Sequence, residues 1–290
     1  CSSDLMNKSN KFLTLLLSGA LLFGGCELPK DSDDEITPDR DTTTQEPDNR
    51  TTEMTTIKGR VIDGYIRNSL VCVDVNANNE CDEDDFSKTR DDGSYAIAIP
   101  AGTDLSRARI LVSGGVDNST GKPFVAIMKA ALPGNVEENI FISPLSTVVS
   151  ARAESISSQK STQSKQLKVA GSGILVTDEI LKQAEEDVAN SLGITAEDVK
   201  SDPLESKKVE VIKAAIKIQK TIEILAEAEQ HGNEASREEA TDRIAKVLAA
   251  GFTGEKKSFE EIVDTALTSE VAQDKLQNQR SVKNVQAVAK

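Results

Sequence analysis

Tryptophan is absent from this chain, and aromatic residues of any kind make up only 3% of its 290 residues. A core of ordinary size must therefore be aliphatic, built from Val, Ile, Leu and Ala. Histidine is nearly absent too. The lone His231 lies in the polar run EAEQHGNE, so a hydrolytic triad has one available base and a histidine-rich zinc site is not provided for. A glycosidase working through paired carboxylates needs no histidine, but its cleft is normally lined with aromatic rings. Two Tyr and seven Phe provide poorly for one. The four cysteines, at 1, 26, 72 and 81, form no CxxC or CxxCH pair, which leaves zinc ribbons, thioredoxin-type redox sites and c-type haem attachment without support. Positive charge is in deficit, with 34 basic against 48 acidic residues and a net charge of −14. Such a chain has no electrostatic basis for binding nucleic acid and attracts cations instead. The stretch GGVDNSTGKP approaches a P-loop but misses it: five residues rather than four separate Gly115 from Gly121, and Pro123 replaces the Ser or Thr.

The first residues read as an address label. Lys8 and Lys11 precede the apolar run Phe12–Phe23, and Gly24 and Gly25 lead into Cys26. The run is too short to span a bilayer and fits a signal peptide. The sequence LFGGC resembles a bacterial lipobox with Cys26 in the invariant position, although Phe23 stands where Leu is more usual. The resemblance implies cleavage before Cys26 and diacylglycerol on its sulfur, an anchor to the membrane that becomes firm with a second acyl chain. Glu27 follows the cysteine, not the Asp associated with inner-membrane retention in enterobacteria, so the resemblance implies an outer-membrane lipoprotein of a Gram-negative bacterium, expected to be surface-exposed, with the periplasmic face as the alternative. Residues 1–25 are thus expected to be a signal peptide, with Cys1 to Leu5 an upstream extension ahead of Met6. Residues 26–56 form an acidic, Thr-rich segment. Between Glu27 and Thr56 there are ten acids, three bases, eight Thr and three Pro. That composition buries too little to order itself, so a disordered tether with a reach of about 30 Å is expected.

From Ile57 the pattern changes. TIKGRVIDGYI, NSLVCVDV, GSYAIAIP, ARILVSGG and KPFVAIMKAAL are short β-branched or alternating runs separated by turn residues. After Pro144 the chain reads as helical, beginning with LSTVVSARAES, while SISSQKSTQSKQ and AGSG read as loops. Thr177 is a candidate N-cap with Gly193 closing the same helix, and Thr195 with Asp198 forms a capping box. A long helix is expected over Leu204 to Gln230, with Val211, Ala215, Ile218, Ile222 and Leu225 on one apolar stripe. The stripe fits a bundle core or, alternatively, a partner-binding seam. EASREEATDRIAKVLAAG and SFEEIVDTALTSEVAQDKL follow, ahead of a polar tail. The expected fold class is α+β and multidomain: a small antiparallel β-sandwich over 57–139, then an α-helical domain over 140–290, with the alternative that ENIFI completes the sheet and extends the module to 143.

The 45 residues from IKGRVIDGYI to GSYAIAIP resemble the small β-sandwich modules of bacterial surface proteins, of the carboxypeptidase-regulatory-like and Sdr B-like type. Gly59, Val61, the Asp63-Gly64 turn, LVCV and TRDDGSY carry the likeness. Later stretches, SGGVDNSTGKPF through SPLSTVVSA and SDPL, resemble extracellular repeat proteins of Gram-negative bacteria. Such modules serve as spacers, binders and stabilisers, so the resemblance implies a fold and not a reaction.

Within the module lies DVNANNECDEDD, residues Asp74 to Asp85, with six acids and no compensating base. It resembles the EF-hand and dockerin calcium loop, D-x-[DN]-x-[DN]-G-x5-[DE]. The resemblance implies side-chain oxygens from Asp74, Asn76 and Asn78, the backbone carbonyl of Glu80, a direct or water-mediated contact from Asp82, and a closing carboxylate from Asp85. Asn79 stands where Gly is wanted, and Asp85 replaces Glu as in dockerin loops. Ca²⁺ suits six to eight hard oxygen ligands in irregular geometry, whereas magnesium fits less well. Cys72 and Cys81 bracket most of the loop, and an exported chain meets an oxidising compartment, so a disulfide between them is expected. The alternative is a solvated acidic turn with two unrelated cysteines.

These readings converge on a non-catalytic, lipid-anchored envelope protein, a calcium-stabilised surface adhesion, scaffold or matrix component whose partner is an envelope or extracellular protein or a polysaccharide. The alternative is a periplasmic or outer-membrane accessory factor binding another envelope protein. A carbohydrate-active enzyme is the lesser alternative.

Overall fold

Alternation of apolar and polar residues builds the first sheet. In the computed structural model, which describes residues 53–81, 86–134, 136, 139–164, 174–230 and 236–276, β1 is Met54–Val61 and β5 is Ser94–Pro100. They pair antiparallel with Ile57 opposite Ile97, and Ile57, Val61, Tyr95, Ile97 and Ile99 all turn inward and are buried. The strand begins at Met54, three residues ahead of the expected start at 57. The second sheet has the order β4 (Phe86–Lys88), β3 (Leu70–Asp74), β6 (Arg109–Ser113) and β8 (Ile127–Ala131), antiparallel throughout. Val71, Val73, Ile110, Val112, Met128 and Ala130 from this sheet close one apolar core with the first sheet. Cys72, Leu111 and Lys129 alternate to the opposite face, yet they too are buried; α1 and α6 pack on that face at β8. A two-stranded ribbon, β2 (Ile66–Arg67) with β7 (Val116–Asp117), completes the β-part.

One strand departs from the expected all-antiparallel arrangement. β9, Ile140–Ile142, runs parallel to β1 on the edge away from β5. It lies just past residue 139, where the helical region was expected to begin. Parallel pairing needs a long connection between partners, and the rest of the β-part supplies it. Gly59 makes the approach possible: a Cβ there would sit 1.8 Å from the Ile140 carbonyl oxygen. The Tyr95 hydroxyl donates to that same oxygen at 2.8 Å.

The helices follow as α1 (Pro144–Ser164), α2 (Asp178–Leu192), α3 (Ala196–Lys200), α4 (Pro203–Ser206), α5 (Val209–Gln230), α6 (Arg237–Ala249), α7 (Phe259–Leu267) and α8 (Glu270–Lys275). The caps fall where the sequence placed them. The Thr177 hydroxyl accepts from the Ile180 amide, Gly193 closes α2 at φ 69°, and Thr195 and Asp198 form a capping box. Val211, Ala215, Ile218, Ile222 and Leu225 are buried in one aliphatic core with residues of α1, α2, α6 and α7.

Two helix expectations need correction. The segment SISSQKSTQS is helical up to Ser164 and not a loop. Ile156 and Ser157 are buried there, and the Ser158 and Ser161 hydroxyls bond back to the carbonyls of Glu154 and Ser158, so the hydroxyls do not pull the backbone out of the helix. The helix expected over 204–230 is two helices, with Lys207 left-handed at φ 53° between them. Asp202 caps the first by accepting from the Leu204 and Glu205 amides, and Pro203 occupies its first position. The AGSG segment, the tail from 277 and everything before residue 53 lie outside the described residues. The described residues fall in one compact unit, and α1 packs directly on β8.

Candidate functional site

The loop after β3 is organised around a buried carboxylate. Asp74 ends the strand with only 1% of its surface exposed. Its Oδ1 accepts from the Asn78 amide at 3.1 Å and its Oδ2 from the Asn79 amide at 2.9 Å. Asn76 Oδ1 also accepts from the Asn78 amide, at 2.9 Å, and Asn78 Oδ1 accepts from the Glu80 amide at 2.8 Å. The side-chain oxygens of positions 74, 76 and 78 therefore turn onto the loop's own backbone. Ala77 at φ 58° and Asn79 at φ 67° adopt the left-handed conformation that wraps the chain around Asp74. Asn79, where the motif wants glycine, tolerates this better than most side chains. Cys72 and Cys81 are disulfide-bonded, with their Cα atoms 5.7 Å apart, and close the loop.

The donor set suits a hard cation. Each side-chain atom that turns onto the loop backbone is an oxygen, and a carboxylate or amide oxygen keeps a second lone pair after accepting one amide. Asp82 and Asp85, the other expected ligands, lie outside the described residues, as does His231. Among the described residues no group of three or more His, Cys, Asp and Glu is placed to hold a metal; this loop contributes one buried carboxylate, two amide side chains and Glu80.

Behind the loop lies a charge network that sequence reasoning missed. Arg109 on β6 places its Nε 4.0 Å from Asp74 Oδ2, and its Nη1 pairs with Glu154 Oε1 on α1. Glu154 also receives Lys246 of α6 at 3.5 Å, and Lys246 reaches Asp242 at 2.7 Å. Lys129 on β8 pairs with Asp242 and donates to Asn79 Oδ1 at 2.5 Å. Three acids and three bases thus alternate between the loop, the sheet and two helices. Burial pushes the Lys129 ammonium below its ordinary pKa, and Asp242 and Glu154 recover only part of that. For Asp242 burial acts upward, but the cations Lys129 and Lys246 outweigh it and hold the carboxyl low. Lys246 is opposed by burial too, yet Glu154 and Asp242 raise it overall. A sequence signal did exist at one of these residues: Lys129 is the single charge inside the otherwise apolar strand IMKAA.

A separate groove lies between β8, β9 and helices α1 to α3, floored by Ile140, Phe141, Val149, Leu181 and Val199. Glu185 lines it, and burial raises its carboxyl above the ordinary value despite Lys200 nearby. Phe141 is the one aromatic ring among the residues lining it.

No protein-family model matches the chain, and no curated protein or solved structure is significantly similar to it.

Proposed function

We propose that this chain is a non-catalytic, lipid-anchored protein of the cell envelope. Its β-part acts as a sandwich-type module stabilised by calcium, and its helices pack onto that module. The observation that carries the reading is the Cys72–Cys81 disulfide closing an oxygen-lined loop. A structural disulfide belongs to an oxidising compartment, outside the cytosol, and the loop's oxygens suit a cation that is plentiful outside cells. Asp74, Asn76 and Asn78 would hold Ca²⁺ through side chains, Glu80 through its backbone carbonyl, and Asp82 and Asp85 through carboxylates. The bound ion supplies the charge that offsets repulsion among the loop's six acids. The protein's own residues keep the loop in shape: the disulfide closes it, Asp74 organises its amides, and Lys129 holds Asn79.

The role is adhesion, scaffolding or matrix support at the outer membrane, with an envelope protein or polysaccharide as partner. The groove beside Glu185 supports an enzyme less well, because a sugar cleft calls for stacking rings and this one offers Phe141 alone. Two experiments test the reading. Mass spectrometry of the native protein should find an acylated Cys26 at its N-terminus; an unmodified chain starting elsewhere would remove the anchor. Protease added to whole cells should degrade the protein. Protection in intact cells would favour the accessory factor on the periplasmic side.

A further inference from the structure

We propose that the groove between β8, β9 and helices α1 to α3 binds a small amphipathic cation, an amine with an apolar body, held through Glu185. Helical spacing builds one wall of it. Asp178, Leu181, Lys182, Glu185 and Glu186 of α2 fall at i, i+3, i+4, i+7 and i+8, so they share one face, and all five line the groove. Ala196, Val199 and Lys200 of α3 repeat that spacing beside them. The cavity is about 500 Å³, a size that takes small molecules, and its floor is mostly apolar, as such sites are. Ile140 and Phe141 stay half-buried there, so folding leaves apolar surface for a ligand body to cover. Glu185 sets the charge of the ligand. Its side chain is 14% exposed, yet no donor among the described residues hydrogen-bonds its carboxylate. A carboxylate drawn from water without a hydrogen bond is costly, and burial raises the Glu185 carboxyl accordingly. Lys200 stands 3.9 Å away, too far to donate, and is shared with Glu197 at 3.8 Å. The other acids of the wall are engaged: Glu186 faces Lys182 at 4.0 Å, and Asp178 accepts from the Gly134 amide at 2.8 Å. Three carboxylates against two ammonium groups thus line the groove, and the one without a hydrogen bond is the least exposed of the three. A ligand ammonium donates to Glu185, a charge-assisted bond, while its body lies over Phe141, Ile140, Leu181 and Val199. A ligand anion meets the same carboxylates as repulsion.

The test uses three probes that share one apolar body and differ in charge: n-octylammonium, octanol and octanoate. Each is titrated by calorimetry into the full chain, with EDTA present, at about pH 7.5, where the amine is cationic, the acid anionic and free carboxylates ionised. Octylammonium should bind saturably at one site per chain, and octanoate at least about tenfold more weakly. Glu185→Gln keeps the shape of the side chain and removes its charge. It should weaken octylammonium by about tenfold and move octanol by less than about twofold. If Glu185→Gln does not fold, Lys200→Gln tests the same contact with the opposite sign: the competing ammonium is gone, so octylammonium should bind about threefold or more tightly while octanol is unchanged. Equal affinity for the three probes would overturn recognition by charge, as would an equal loss of octylammonium and octanol in Glu185→Gln. A merely structural Glu185 would give that second result, with a shifted melting temperature. No saturable uptake of octylammonium would overturn the site itself. Calcium uptake and acylation of Cys26 are read by separate experiments, and neither result bears on this one.

Discussion

Reducing the Cys72–Cys81 bond should lower the melting temperature by about 5–10 °C. The two cysteines are nine positions apart in sequence, and loop-closure entropy for a ring of that size is about 2.6 kcal/mol at 25 °C. In a unit of this size 1 kcal/mol moves the midpoint by roughly 2–4 °C. Reduction isolates that contribution better than substitution does. Cys72 is fully buried, and as a thiol it leaves no cavity, whereas Cys72→Ala would add a packing loss of its own. The native loop should keep its shape after reduction, because the Asn78 and Asn79 amides still bond to Asp74; the cost falls on the unfolded chain, which regains its freedom. The assay is thermal unfolding of the full chain carrying Cys1→Ser and Cys26→Ser, in EDTA, with and without a phosphine reductant. A shift below about 2 °C would refute the entropic reasoning. Two titratable thiols in the unreduced protein would refute the bond itself.

Gly59→Ala should destabilise the fold by about 1–3 kcal/mol in urea unfolding, since the added carbon would lie 1.8 Å from the Ile140 carbonyl oxygen. An unchanged midpoint would contradict the parallel pairing of β9 with β1. Asp63 governs a pH effect: burial, then Glu223 and Asp117, push its carboxyl from 3.8 up to about 6. A pKa raised by folding favours the folded chain while the group is protonated, so that stability is present below about pH 4 and is lost as pH rises through about 6. Asp63→Asn should therefore be more stable than wild type at pH 7.5 by about 1–3 kcal/mol and should flatten the profile between pH 4 and 7; a parallel profile would exclude Asp63 as its source. Lys207→Gly should stabilise by about 1 kcal/mol, because Lys207 holds φ 53° between α4 and α5 and glycine meets no Cβ penalty there. A loss of stability would mean that the Lys207 side chain carries weight of its own.

Local signals were the legible ones. The alternation in SYAIAIP, the threonine caps at 177 and 195 and the 4-3-4-3 stripe from Val211 each depend on a few neighbouring residues, and each lies where the sequence placed it. What escaped depends on distant partners. The parallel pairing of β9, which lies in the ENIFI that the sequence offered to the sheet, depends on the edge that β1 presents beside Gly59. The serine run of α1 looks like a linker until Ile156 is seen to be buried and its hydroxyls to be satisfied within the helix. The break at Lys207 follows from the Asp202 cap, which also receives Arg60 and Tyr65 from the β-part. At the loop, the oxygen spacing and the cysteine pair were visible in the fourteen residues from Cys72 to Asp85. Arg109, Lys129, Glu154, Asp242 and Lys246 were not, because they come from four separate elements and meet only in three dimensions.

The central claim is that the loop from Asp74 to Asp85 takes up calcium, and calorimetric titration of the metal-free full chain with CaCl2 tests it most directly, with melting followed in parallel. The account predicts saturable uptake at one site per chain. At a free calcium concentration a hundredfold above Kd the gain is about 2.7 kcal/mol, a rise of roughly 5–10 °C that EDTA reverses and Asp74→Asn abolishes. No heat of binding together with an unchanged melting temperature in millimolar calcium would contradict it and leave the loop a disulfide-closed turn.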